Sequence, residues 1–204
     1  MRTIAIINQK GGVGKTTTAI NVSAGLAMYK RRVLLIDLDP QGNSSISFDF
    51  DIDQLSHSMF DAMTNAGNNN WKSIIKKTHV ASLAIAPASM NLAALEHELA
   101  TREDRNGILN RALENINSSY DYIIIDCPPS LGLLTVNALY AAEELFIPIQ
   151  LSYFALEGVR QLLTIIEMAK KELPTKGPHI TGIIATLYDG RTNMSKEILK
   201  AIKG

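Results

Sequence analysis

Six short apolar runs recur along the chain, at residues 4–7, 33–36, 83–86, 122–125, 145–149 and 180–186. None alternates polar with apolar positions, which is the pattern of strands buried on both faces of a sheet. The segments between them carry helical spacing instead. Residues 16–29 form one, and residues 131–142 another. Ile108, Leu109, Ala112, Leu113 and Ile116 make an apolar stripe, preceded by Thr101-Arg102-Glu103-Asp104, which reads as a capping box. Leu156, Val159, Leu162, Leu163, Ile166, Ala169 and Leu173 make a further stripe, and a last helical pattern starts near Asn193. Strands alternating with helices predict an α/β fold, a mainly parallel twisted sheet with helices on both faces. Residues 44–80 fit the alternation poorly: they are polar, hold Asn65-Ala66-Gly67-Asn68-Asn69-Asn70, and offer one short helix near 55–63. They predict a surface excursion with no core of its own.

In such sheets ligands sit at the carboxyl ends of strands, and that is where the chemistry-bearing residues fall. The first run leads into Gln9-Lys10-Gly11-Gly12-Val13-Gly14-Lys15-Thr16-Thr17 and then a helix. Gly11, Gly12 and Gly14 let the backbone curl so that N–H groups face a ligand. Together with the positive end of the following helix, residues 11–17 make a volume suited to phosphate. Lys15 can reach the β- and γ-phosphates, and the Thr16 hydroxyl is placed to ligate Mg²⁺. The general pattern G-x-x-x-x-G-K-[ST] is met except at its first glycine, where Gln9 stands, and a second lysine, Lys10, lies inside the loop. Asp126 ends the run 122–125 and brings one carboxylate to the same edge. Asp37 and Asp39 leave the run 33–36 two residues apart, pointing to one side if the extended geometry persists. That pair reads either as two functional carboxylates or as one with a loop cap.

The composition removes several classes. A chain of 204 residues that is 46% hydrophobic can bury a core and reads as one domain, 1–204. Lys plus Arg and Asp plus Glu both number 20, so no global charge advertises nucleic acid. Cys127, the only cysteine, rules out an internal disulfide and a two-cysteine metal clamp within a subunit, and His57, His79, His97 and His179 share no ligand spacing. The first apolar run is too short for a signal peptide, and no run approaches the ~20 apolar residues of a membrane helix. The expectation is a cytoplasmic protein without a transmembrane segment. From residue 155 onward basic residues outnumber acidic ones by eight to five.

The loop K-G-G-V-G-K-T-T resembles the deviant Walker A motif of the ParA/MinD family of P-loop ATPases. Asp37-Leu38-Asp39-Pro40-Gln41-Gly42-Asn43, Asp126-Cys127-Pro128-Pro129-Ser130 and Tyr153-Phe154-Ala155-Leu156-Glu157-Gly158 resemble its ParA/Soj partition branch. The resemblance implies a P-loop NTPase that binds ATP and Mg²⁺ and turns ATP over slowly. It implies that Lys10 crosses the interface of an ATP-dependent homodimer to the partner's nucleotide, that Asp39 orients the attacking water, that Asp126 holds Mg²⁺ and that Asp37 lies in the ion's outer shell. Asp126 to Ser130 would act as a switch, its prolines making the following helix move as a unit. The resemblance further implies nonspecific DNA binding by the dimer, nucleoid association and a ParB-type centromere-binding partner that stimulates hydrolysis. Arg191 looks like a matching DNA contact, and a solvated arginine reads equally well there. Family members usually continue past this length with a further strand and helix, which this chain is expected to lack. The alternative is a MinD-like ATPase that positions division or surface machinery on the membrane. One cysteine excludes the related iron–sulfur reductases, and the absence of an N-K-x-D motif argues against a GTPase.

Overall fold

A computed structural model describes residues 1–116, 119–151, 155–173 and 177–203. Its strands are β1 (Arg2–Ile6), β2 (Val33–Asp37), β3 (Lys76–Lys77), β4 (Leu83–Ala86), β5 (Tyr122–Asp126), β6 (Glu144–Gln150) and β7 (His179–Thr186). They form one sheet in the order β3-β4-β2-β5-β1-β6-β7. All neighbours are parallel except β3 with β4.

The unbroken apolar runs follow from burial on both sides. Odd and even positions of one strand enter different cores: Ala5, Ile7, Leu34, Ile36, Ile123 and Ile125 face one, while Ile4, Ile6, Val33, Leu35 and Ile124 face the other. The second, smaller core is covered by α1 (Lys15–Met28), through Ala19 and Ala27, with Phe48 beside them. The larger core is covered by α3 (Met59–Thr64), α4 (Trp71–Ile74), α5 (Asn91–Leu99), α6 (Ile108–Leu113), α7 (Leu133–Ala141), α8 (Ala155–Glu172) and α9 (Asn193–Lys203). A four-residue helix, α2 (Asn43–Ile46), follows the loop after β2.

Two expectations are corrected. Residues 44–80 are no surface excursion: Met59, Ala62, Met63, Trp71 and Ile74 are buried in the larger core. Their apolar positions are few but large, and they complete a core whose other side is the sheet rather than forming one of their own. The capping box at Thr101 to Asp104 is not made either. Asp104 takes the guanidinium of Arg102 at 2.8 Å and also pairs with Arg111, and α6 starts from Gly107 without a side-chain cap. The box forms at α3 instead, where Phe60 N donates to Ser58 Oγ at 3.2 Å and Ser58 N donates to Asp61 Oδ2 at 2.8 Å. Helix α5 was not expected, although Leu92, Leu95 and Leu99, all buried, carry the helical spacing. The two-residue β3 was not expected either.

Candidate phosphate-binding site

The segment between β1 and α1 folds into the expected cradle. Gly12 and Gly14 adopt φ of 71° and 87°, a region that any side chain would strain, and Gly14 stands at the N-cap of α1. Thr18 N donates to Gly14 O at 2.9 Å, closing the first helical turn. Gly11 and Gly12 stay exposed, Val13 anchors the loop in the interior, Thr16 is half-buried and Thr17 is exposed.

Three side chains outside the expected set hold this loop. Asn8 is buried; its Nδ2 donates to Pro148 O of β6 at 2.7 Å while its Oδ1 accepts from Lys10 N at 3.0 Å. Thr186, at the end of β7, donates from Oγ1 to Val13 O at 2.7 Å. Gln9, in the place of the pattern's first glycine, turns away from the cradle, and its Nε2 donates to Gln161 of α8 at 2.9 Å.

The two lysines have different surroundings. Lys15 is 6% exposed and donates from Nζ to Lys10 O at 3.0 Å, so its side chain folds back over the loop. Desolvation pushes its pKa down, against the pull of Asp126, Cys127 and Asp39. Lys10 is exposed on the outer edge of the loop, with Nζ 3.3 Å from Gln150 Oε1.

Parallel register places the acids side by side. Asp37 is the cross-strand partner of Asp126, which is in turn level with Ile6 at the start of the loop. Both carboxylates are fully buried. Burial and the nearby Asp126 push Asp37 up to about 7, although Ser45 and Asp39 N–H groups favour its charge. Burial pushes Asp126 up to about 6, opposed by the Ser44 and Thr16 hydroxyls. Asp37 is committed to its own loop: Oδ1 accepts from Asp39 N at 3.2 Å, and Oδ2 accepts from Ser45 N at 2.8 Å and Ser45 Oγ at 2.7 Å. Ser45 Oγ also accepts from Ala88 N at 3.0 Å, tying this loop to the end of β4. Asp126 Oδ2 accepts from Ser44 Oγ at 2.8 Å, but its buried Oδ1 has no hydrogen-bond partner. Asp39 is 7% exposed and uses Oδ1 for Gln41 N at 3.0 Å.

An orphaned buried carboxylate oxygen costs free energy unless something charged meets it. Asp126 and the nearby Thr16 hydroxyl supply hard oxygens at the base of a phosphate cradle, which suits Mg²⁺. The described residues hold no cluster of three or more His, Cys, Asp or Glu that could bind a metal without a ligand's oxygens.

These raised carboxyls make nucleotide-free stability depend on pH. Both folded pKa values lie above the unfolded 3.8, so the native state binds more protons, and the stabilisation present below about pH 4 is lost as pH rises through 6 to 7. The nucleotide-free protein is expected to melt lower at pH 8 than at pH 5, with Asp126→Asn melting about 2–4 °C above wild type at pH 8. Scanning calorimetry across that range checks this, and equal melting points for the two proteins at pH 8 would contradict it.

The remaining expected residues are spread more widely. Arg191 is exposed beyond β7, its guanidinium paired with Asp189 at 2.8 Å. Cys127 is buried, and its thiol is pushed up by desolvation, so it is no nucleophile. Tyr153 and Phe154 lie outside the described residues. Among the described residues no helix is long and apolar enough to cross a membrane.

A strand feeding a left-handed glycine turn into a helix start, with an acid ending the adjacent strand β5 and another ending β2 beyond it, is the geometry of the P-loop nucleotide-binding proteins. Comparison with known sequences agrees: residues 1–177 match the family described as AAA domain. The sporulation initiation inhibitor protein Soj of Bacillus subtilis is 45% identical over 200 residues, 98% of this chain and 78% of that protein. The chromosome-partitioning ATPase Soj of Treponema pallidum is 42% identical, over 98% of this chain and 77% of its own. Among solved structures, cobyrinic acid a,c-diamide synthase from Mycobacterium smegmatis with bound ATP analogue and magnesium superposes with a TM-score of 0.92. It is 38% identical and covers 100% of this chain and 82% of its own. The chain belongs to the Soj/ParA family of chromosome-partitioning proteins.

Proposed function

We propose that the chain is an ATP-hydrolysing switch of DNA partition, working as an ATP-dependent homodimer. The observation that carries the reading is the pairing of a preformed phosphate cradle with the unpartnered Asp126 Oδ1 beside it. Partitioning relatives of 42–45% identity support the class of task.

Residues 11–17 hold the triphosphate through backbone N–H groups, and Lys15 exchanges its bond to Lys10 O for phosphate oxygens. The negative phosphates offset the desolvation that Lys15 suffers in their absence. Thr16 and Asp126 hold Mg²⁺, with Asp37 one layer behind, fixed by Ser45. When bound, the ion neutralises charge on the β- and γ-phosphates. Asp39 accepts the hydrogen bond that orients the attacking water. Lys10, outermost on the loop, donates to the nucleotide of a second copy, so ATP joins two subunits and hydrolysis releases them.

The dimer binds duplex DNA nonspecifically. Arg191 contributes by exchanging the Asp189 carboxylate for a phosphate, and a ParB-type centromere-binding protein accelerates turnover. Retention on plain duplex DNA is expected only with ATP and Mg²⁺, and it should fall steeply as salt rises. Co-sedimentation with DNA and with anionic liposomes tests the reading. ATP-dependent binding to liposomes but not DNA would replace partition with a membrane-positioning role.

A further inference from the structure

The end of the sheet opposite the phosphate cradle carries a second concavity. It has a volume of about 710 Å³ and opens where β2, β4 and β5 begin, between α4 and residues Asn115, Ile116, Ser119 and Tyr120. Five-residue strands such as β2 and β5 separate it from Asp37 and Asp126 by about 16 Å. Its lining is mainly apolar and includes Trp71, Ile116 and Tyr120. The Trp71 indole is 8% exposed and fixed by its Nε1, which donates to Ala112 O at 3.1 Å, so this wall is formed in advance.

The charge around the groove has one sign. Arg32, Lys72 and Lys77 line it, and no Asp or Glu does among the described residues. Arg32 is already matched by Asp121 at 2.9 Å. Lys72 and Lys77 are exposed and join no ion pair among the described residues. We propose that this groove docks an acidic peptide segment, one large apolar side chain entering beside Trp71 and flanking carboxylates meeting Lys72 and Lys77. Charge complementarity selects the sign of the partner. The apolar lining selects a peptide over nucleic acid, since duplex phosphates would meet the lysines and leave the apolar hollow unfilled. The volume lies within the ~300–1,000 Å³ of ordinary ligand pockets, large enough for an aromatic or branched anchor. Such a partner would dock without competing for the nucleotide, because the two sites lie at opposite ends of the same strands.

Trp71 is the only tryptophan in the chain, so its emission reports on this groove alone. The test titrates the nucleotide-free full chain with acidic hexapeptides, Asp-Glu-X-X-Glu-Asp with X as Leu, Ile, Phe or Met. Charge-reversed counterparts built on Lys and Arg, and a plain DNA duplex, are titrated in parallel. At least one acidic peptide is expected to shift Trp71 emission saturably, with calorimetry giving the same affinity. Added salt should weaken the binding, and Lys72→Glu/Lys77→Glu should weaken it about tenfold while leaving basal ATP hydrolysis unchanged. No response to any acidic peptide, equal binding of the basic ones, or unchanged affinity in the double variant would overturn the proposal. So would a Trp71 response to the duplex that the double variant abolishes, which would assign the groove to nucleic acid.

Discussion

Lys10→Ala is expected to lose ATP-dependent dimerisation and to lower hydrolysis about 10³-fold while still binding nucleotide, the scale on which a cation supplied across an interface acts in phosphoryl transfer. The geometry separates the two lysines. Lys15 is buried and lies against the Lys10 carbonyl, inside its own cradle, where its charge is desolvated until phosphate arrives. Lys10 sits outside on the same loop, its main chain pinned by Asn8 Oδ1 and its side chain extending along the exposed edge toward Gln150. In the proposed dimer, a lysine fixed at its backbone and exposed on the loop would serve the neighbouring subunit's nucleotide, while Lys15 serves its own. Lys15→Ala should therefore abolish nucleotide binding, and Lys10→Ala should leave the affinity for ATP within a few-fold of wild type. Equilibrium binding of a fluorescent ATP analogue, alongside sedimentation velocity with and without ATP, distinguishes the two. A Lys10→Ala protein that still dimerises with ATP would remove the cross-subunit role.

How much of this was legible in the sequence depends on whether the governing contact is local. The sheet strands were readable because burial on both faces imposes unbroken apolar runs, and all six predicted runs became strands within one or two residues of their expected ends. The cradle was readable because its glycines, its lysine and its following helix are consecutive. What could not be read is what holds it in place. Asn8, Ser44, Ser45 and Thr186 act through partners elsewhere in the fold, at Pro148, Asp126, Asp37 and Val13. An asparagine or serine gives no sign of such a partner until the sheet order is known. Ser44 and Ser45 left a faint mark, two consecutive hydroxyls just past an acid-rich strand end. Residues 44–80 were misjudged for a different reason. Counting apolar positions undervalued Met59, Met63 and Trp71, which are large enough to close a core built mostly by other elements. At Thr101 to Asp104 the capping pattern lost to electrostatics, because two arginines claim the Asp104 carboxylate.

Asp39→Ala is expected to lower the maximal rate of ATP hydrolysis by about 10²–10⁴, the usual cost of losing a positioned proton acceptor, with ATP affinity and the ATP-bound dimer retained. The neighbouring Asp37 supplies the contrast. Both oxygens of Asp37 are taken by its own loop, and through Ser45 it is linked to Ala88 at the end of β4. Asp37→Ala therefore leaves the Ser45 hydroxyl and two buried N–H groups without an acceptor, and its first effect falls on stability and on the order of the loop. Asp39, though only 7% exposed, uses one oxygen for a single bond, to Gln41 N, so its removal costs the fold less than that of Asp37. The two substitutions, two residues apart, thus divide cleanly. Asp37→Ala lowers the melting temperature of the nucleotide-free protein, whereas Asp39→Ala leaves it within a degree or two and slows only the chemical step. Single-turnover hydrolysis together with melting curves reads both effects. Normal turnover in Asp39→Ala would move the water-orienting role to another group, and a large stability loss there would mean that Asp39, like Asp37, serves the loop.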